Sequence, residues 1–200
     1  MLRSSFTKHL IEAGCDEVGR GCLAGPVVAA AVVFPKKYKH KKLNDSKQLT
    51  REEREVLKLD IERDALAWAV AEVDHEEIDR INILNASFKA MHLALEKLSI
   101  EPELILVDGN RFKPFRDVKH ECVIKGDGKY LSIAAASILA KTYRDQLMSN
   151  LAKQFTGYGW ETNVGYATLQ HREGIKLLGI TPYHRRSFTL FPEQLDLFER

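Results

Sequence analysis

Two neighbouring acids run straight into a glycine-rich turn in Cys15-Asp16-Glu17-Val18-Gly19-Arg20-Gly21-Cys22-Leu23-Ala24-Gly25-Pro26. Adjacent carboxylates repel, and keeping both ionised beside buried strands costs free energy unless a cation compensates them. Glycines admit positive φ and let backbone N–H groups come close to a ligand. The stretch reads as a metal-plus-phosphate site on one turn, or else as an acidic strand end followed by a tight loop. Two further acids sit in similar settings. Asp108 closes the apolar run Leu104-Ile105-Leu106-Val107 and precedes Gly109. That is where open α/β sheets carry functional groups, although a plain Asp-Gly turn has the same pattern. Asp127, in Lys125-Gly126-Asp127-Gly128, lies just before a helical run, as a charge favoured by the helix dipole or as a ligand. If these strands join one sheet, Asp16, Glu17, Asp108 and Asp127 share an edge. Four carboxylates balance two divalent ions, and an all-oxygen donor set suits Mg²⁺ or Mn²⁺ better than zinc. Two such ions can activate a water and stabilise the leaving oxygen of a phosphodiester.

The elements that must hold these acids can be read from periodicity. Ala24 to Phe34 is nearly all apolar and β-branched, a buried strand stopped by Pro35, with a shorter strand before it ending near Asp16. The basic run Lys36 to Lys42 is a solvated loop or a rest for a phosphate backbone. Thr50 and Glu53 have capping-box spacing and predict a helix from Arg51 to about Arg63. Small and large residues alternate from Ala65 to Val73, which predicts a strand with one tightly approached face. Asp74 and Glu77 predict another cap, with helix to about Leu98, broken near Asn82. Phe88, Met91, Leu95 and Leu98 form its core stripe, and His92 reads as a packed histidine. Cys122-Val123-Ile124 is a short strand. A helix of about 25 residues follows Asp127, its apolar face stepping through Ile133, Ala136, Ala140, Tyr143, Leu147 and Leu151. Thr168 caps a last amphipathic helix through Leu178, and Thr181 to Phe188 reads as extended, basic and aromatic.

Composition sets the class. Two hundred residues, 44% hydrophobic and 29% charged, suit one globular domain, and a net charge of +2 says little about partners. Three cysteines with no C-x-x-C pair read as free thiols in a reducing compartment. The N-terminus lacks the apolar core of a signal peptide, and no run is long enough to span a bilayer, so the expected location is cytoplasmic. Gly14-x4-Gly19-Arg20-Gly21 has part of a P-loop's spacing but lacks its Lys-Ser/Thr, which argues against a nucleotide hydrolase.

Seven motifs in register resemble bacterial ribonuclease HII, the type 2 ribonuclease H. They are Asp16 to Gly21, Asn44 to Lys47, Val107-Asp108-Gly109, Lys125-Gly126-Asp127, Ser132 to Lys141, Gly165 to Thr168 and His184 to Phe188, spanning about residues 10 to 190. The resemblance implies an α/β fold of the RNase H type: a mixed five-stranded sheet flanked by helices, with a C-terminal helical extension, over residues 1–191. It implies endonucleolytic cutting of RNA in RNA–DNA hybrids and 5′ of single ribonucleotides in duplex DNA, leaving 3′-hydroxyl and 5′-phosphate ends. Asp16, Glu17, Asp108 and Asp127 match the metal-binding acids, with Mg²⁺ or Mn²⁺ as cofactor. Gly19, Arg20 and Gly21 match the loop that senses the ribose 2′-hydroxyl, and Tyr166 the ring that packs on the next sugar. Lys47, Lys141, Arg144 and Arg185 are candidate phosphate contacts, while Asp145 lies too far along its helix from Asp127 to join the acids. Type 3 enzymes carry an additional N-terminal domain, for which 200 residues leave no room. A non-catalytic hybrid-binding module has no need of all four acids. In the tail, residues 192–200, Gln194, Leu195, Leu197 and Phe198 resemble the peptide that docks replication and repair proteins on the bacterial sliding clamp. A terminal amphipathic turn has the same pattern.

Overall fold

Alternation along one apolar strand organises the layers. In the computed structural model, which describes residues 2–43 and 49–191, β2 (Val27–Val33) is buried along its whole length. Val27, Ala29, Ala31 and Val33 face one core, and Val28, Ala30 and Val32 face another. The first core is closed by α3 (Ile83–Glu96), the second by α1 (Arg51–Asp64) and α4 (Leu131–Gln154). A strand covered on both faces needs no polar side, which is why this run carries no period-two pattern. β2 begins at Val27 rather than Ala24, because residues 22–26 turn away to pair with later loops.

The sheet has five strands in the order β3-β2-β1-β4-β5, with β1 at Glu12–Val18, β3 at Ala67–Val73, β4 at Leu104–Asp108 and β5 at Lys119–Val123. β1 to β3 are antiparallel neighbours, whereas β4 and β5 run parallel to β1. Parallel pairing sets carboxyl ends side by side. Cys15 lies opposite Val107 and Asp108 opposite Val123, so the predicted edge of acids forms.

α4 reaches that edge because β1 lets it come close. A side chain on Gly14 would overlap the backbone of Ser132 and Ile133, so the small-residue start of α4 lies directly on β1. Thr50 and Glu53 form both halves of the capping box on α1. α2 (His75–Ile81), capped by Asp74, is broken from α3 at Asn82, whose φ is 64°. His92 packs edge-on to Phe112 and bonds the Lys113 carbonyl, a packing role as expected. In the basic loop, Tyr38 stacks on Phe34 and bonds Asp64, while Lys36 and Lys37 stay exposed. A short α5 (Trp160–Asn163) and α6 (Leu169–Leu178) form the C-terminal helical part.

Three expectations need correction. β5 runs from Lys119 to Val123 and leaves Ile124 exposed; as an edge strand it carries charged residues and no hydrophobic signal. Tyr143 is exposed, because Arg144 and Met148 occupy the buried face of α4 instead. Thr181 to Phe188 is a series of turns joined to the loop before β2 by an isolated bridge, Ala24 to His184, not an extended segment. No helix among the described residues is long and apolar enough to cross a membrane.

Candidate active site

Carboxylate oxygens of Asp16, Asp108 and Asp127 all lie within 4.8 Å of one another. Each is aimed by backbone chemistry. Asp16 accepts from the Glu17 N–H at 2.7 Å and from the Ser137 hydroxyl of α4. Asp108 accepts from the Gly126 N–H at 2.6 Å, which ties the end of β4 to the turn carrying Asp127. Lys125 is left-handed (φ 55°), and Gly126 is pressed against Ile133 so tightly that a side chain there would collide with it. Asp127 is buried in the 3-10 turn Gly126–Gly128 that leads to α4 and accepts from the Gly128 N–H at 2.9 Å.

Glu17 stands apart from the three. Period two along β1 turns Cys15 into the α3-side core, Asp16 towards α4 and Glu17 back towards α3. There it borders a second hollow lined by Leu84, Ser87 and Phe88, and it is paired with Arg20 at 3.0 Å. Burial, then Glu17 and Asp108, drives the Asp16 carboxyl well above the usual carboxylate range. Burial raises Glu17 too, with Arg20 opposing. A divalent cation relieves both penalties, so this clustered set of hard oxygen donors fits Mg²⁺ or Mn²⁺.

A cleft of about 480 Å³ joins Asp16, Glu17 and Asp108 to Gly19–Gly21, Tyr166, Ser137 and Lys141. The glycine loop forms one wall and is held rigidly. Leu23 N–H donates to the Gly165 carbonyl at 2.8 Å, and Arg185 N–H to the Leu23 carbonyl at 2.8 Å. Gly19, at φ 94°, has no room for a side chain because Arg144 fills the space. Gly21 has an ordinary φ, and a Cβ there would lie 4.0 Å from the Tyr166 ring, so its bare face points into the cleft.

Arg144 and Arg185, expected on phosphates, are instead fully buried. Arg144 donates to the carbonyls of Pro26, Val164 and Ala24, and Arg185 to those of Gly25 and Arg20. Burial lowers the Arg185 guanidinium to about 10. These cations are scaffolding for the loop. Of the other candidates, Lys47, Gln194, Leu195, Leu197 and Phe198 lie outside the described residues. Ser137, within the Ser132 to Lys141 motif, lines the cleft; Arg54 lines it and pairs with Asp145, and Arg54 had no signal in the chain because contact between α1 and α4 alone brings it there.

Comparison with known proteins agrees with this geometry. The ribonuclease HII family model matches residues 13–191. The chain belongs to the ribonuclease HII family. It is 63% identical to the ribonuclease HII of Parabacteroides distasonis over 94% of both chains, and 59% identical to that of Cytophaga hutchinsonii over 98% of both. Among solved structures it resembles the ribonuclease H2 of Pyrococcus horikoshii (29% identity, 90% and 94% coverage, TM-score 0.75). It also resembles the Archaeoglobus fulgidus ribonuclease HII solved with PCNA (29% identity, 94% and 99% coverage, TM-score 0.78). The chain is therefore a ribonuclease H, a hydrolase of RNA–DNA hybrids, built on the expected mixed five-stranded sheet.

Behind Tyr166 lies a buried histidine pair that braces its loop. His184 Nδ1 accepts from the Thr181 N–H at 2.8 Å, leaving its Nε2–H to face His171 Nε2 at 3.1 Å. His171 Nε2 also accepts from Trp160 Nε1 at 2.9 Å, so its proton sits on Nδ1, towards the Tyr166 carbonyl at 2.9 Å. Both rings are neutral in this arrangement, and a proton on either turns an acceptor into a donor facing a donor. Burial, then His171, pushes His184 down to about 4; burial also lowers His171. Groups lowered from 6.5 contribute stability above that pH, and the contribution is lost as pH falls towards 4. The raised Asp16 has the opposite sign, so the trend is cleanest in Asp16→Asn. Its thermal midpoint should begin to fall near pH 6.5, and the His184 imidazole should stay neutral at pH 5.5 by NMR. Full protonation of every histidine at pH 5.5 sinks the assignment.

Proposed function

We propose that the chain is a metal-dependent endonuclease that cuts the RNA strand of hybrids and nicks duplex DNA 5′ of single embedded ribonucleotides. The products carry 3′-hydroxyl and 5′-phosphate ends. The observation that carries this reading is one cleft with Asp16, Glu17 and Asp108 at its floor, Asp127 within 4.8 Å of the two aspartates, and the Gly19–Gly21 loop and Tyr166 at its wall. A 2′-hydroxyl is what distinguishes RNA from DNA at a given site, and recognising it takes close, directional polar groups. The loop's backbone, held by Arg144 and Arg185, offers such groups without side chains in the way. Tyr166 presents an exposed ring beside Gly21, a flat surface that a deoxyribose fits and a second 2′-hydroxyl does not.

Asp16, Asp108 and Asp127, with Glu17 at the rim, would hold the cofactor, Mg²⁺ or Mn²⁺. When bound, two such ions supply an activated water and charge stabilisation at the leaving oxygen. The protein's own part is to orient the strand. The loop and Tyr166 fix the ribose, and Lys47 is assigned to a phosphate. Residues 1–191 form the catalytic unit. The tail, through Gln194, Leu195, Leu197 and Phe198, is assigned to the sliding clamp, a reading supported by the archaeal relative's complex with PCNA. The buried free thiols Cys15 and Cys22 suit a reducing, cytoplasmic setting.

The deciding experiment uses a labelled DNA duplex with one ribonucleotide, in Mg²⁺, Mn²⁺ or EDTA. A metal-dependent nick on the 5′ side of the ribose, absent from all-DNA duplex, is expected. Cutting only within long hybrids removes the junction specificity, and no cutting of either substrate removes the reading altogether. For the tail, deletion of residues 193–200 should abolish clamp binding and leave nicking intact.

A further inference from the structure

We propose that Asp145 is a positioning residue for substrate, aiming Lys141 and Arg54 at a backbone phosphate that flanks the scissile one. This rests on the nuclease reading above. Ser137, Lys141 and Asp145 recur every four residues along α4 and so share one face, rising about 6 Å per step from the acids outward. Ser137 bonds Asp16, at the inner end of this stripe. Lys141 Nζ is 2.6 Å from Asp145 Oδ1, and Arg54 Nη2 is 3.3 Å from Asp145 Oδ2, so one buried carboxylate shares two cations. Arg54 is also anchored through Nη1 to the Leu49 carbonyl at 2.8 Å. Both cations line the cleft that holds Asp16 and Tyr166.

A buried ion pair does little for stability by itself, because desolvation cancels most of the attraction. A clamp between α1 and α4 needs Arg54 and Asp145 but has no use for Lys141, whose side chain retains 23% exposure at the cleft wall. A lysine is a flexible point charge, and fixing its ammonium removes conformational freedom that binding would otherwise have to remove. The trio carries one net positive charge facing a floor of carboxylates, which suits a phosphodiester bridging the two.

The charge arithmetic makes the test sharp. Asp145→Asn raises the local charge by one, so if Asp145 merely neutralises, hybrid binding tightens. If it aims the cations, binding weakens. We expect KM to rise about tenfold with kcat within about twofold, and the slope of log Kd against log salt in EDTA to shrink by about one. Lys141→Met should show the same loss, and the double variant no further loss. Wild-type affinity, tighter binding or an unchanged salt slope in Asp145→Asn overturns the proposal, as does unchanged binding in Lys141→Met. Where Asp145→Asn does not fold, Asp145→Glu decides, because it keeps the charge but moves it by one methylene; an unchanged KM there overturns the proposal. Wild-type enzyme in the same assay separates failure of this proposal from failure of the nuclease reading, which would show as no metal-dependent cleavage at all.

Discussion

Asp108→Asn should reduce cleavage of a ribonucleotide-containing duplex at least about 10³-fold while leaving duplex affinity in EDTA nearly unchanged. Asp108 sits at the centre of the acids: its Oδ1 takes the Gly126 N–H, and its charge acts on both Asp16 and Glu17. An asparagine amide oxygen can still accept from Gly126, so the turn carrying Asp127 keeps its place. What is lost is one negative charge from the donor set that compensates divalent ions. Stability should move the other way. The raised Asp16 carboxyl means that metal-free protein loses stability as pH rises through that group's folded value, and removing Asp108 lessens the loss. The variant's metal-free thermal midpoint at neutral pH should equal or exceed that of the wild type. Cleavage within tenfold of wild type, measured in the same Mg²⁺ buffer, would remove Asp108 from the chemistry.

The second large effect is structural. Arg144→Met should destabilise the protein by at least about 3 kcal/mol, since the carbonyls of Ala24, Pro26 and Val164 lose the guanidinium together, the first two in fully buried bonds. The guanidinium also fills the space against Gly19, so its removal leaves the glycine loop without a back wall. Discrimination between a ribonucleotide junction and all-DNA duplex should fall with it. Lysine should not rescue, because one ammonium cannot reproduce a planar fork reaching three acceptors. The neighbouring Arg186, exposed in its turn, is the control: Arg186→Met should change stability by less than about 0.5 kcal/mol. A denaturation midpoint for Arg144→Met equal to that control would show that the loop holds its shape without the arginine.

How much of this was legible in the chain depends on whether a feature is local. The capping box at Thr50 and Glu53, the break at Asn82 and the small-residue face of Ala67, Ala69 and Ala71 are encoded within a few residues, and each forms as read. Asp108 and Asp127 were legible for the same reason, one closing β4 and the other in a tight turn, where a carboxylate has no packing purpose; Asp16 and Glu17 stand inside β1 and were marked by their adjacency and the glycine-rich turn after them. β5 was only half legible. An edge strand held by backbone bonds to β4 needs no apolar pattern, so Lys119, His120 and Glu121 gave no sign of it.

The sequence by itself determined the order of elements, the family and which acids could meet, because periodicity, caps and motifs are properties of neighbouring residues. Tertiary structure alone decided the rest. Only the parallel register of β1, β4 and β5 sets Asp16 beside Asp108. Only burial tells Arg144 and Arg185 from the exposed Arg186, since a guanidinium reads identically in a sequence whether it meets a phosphate or the carbonyls of its own chain. Asp145 likewise gained Arg54 as a partner only when α1 packed against α4, whereas its pair with Lys141, four residues away on the same helix, is local. Charge is written in the chain, but its partner is chosen by the fold.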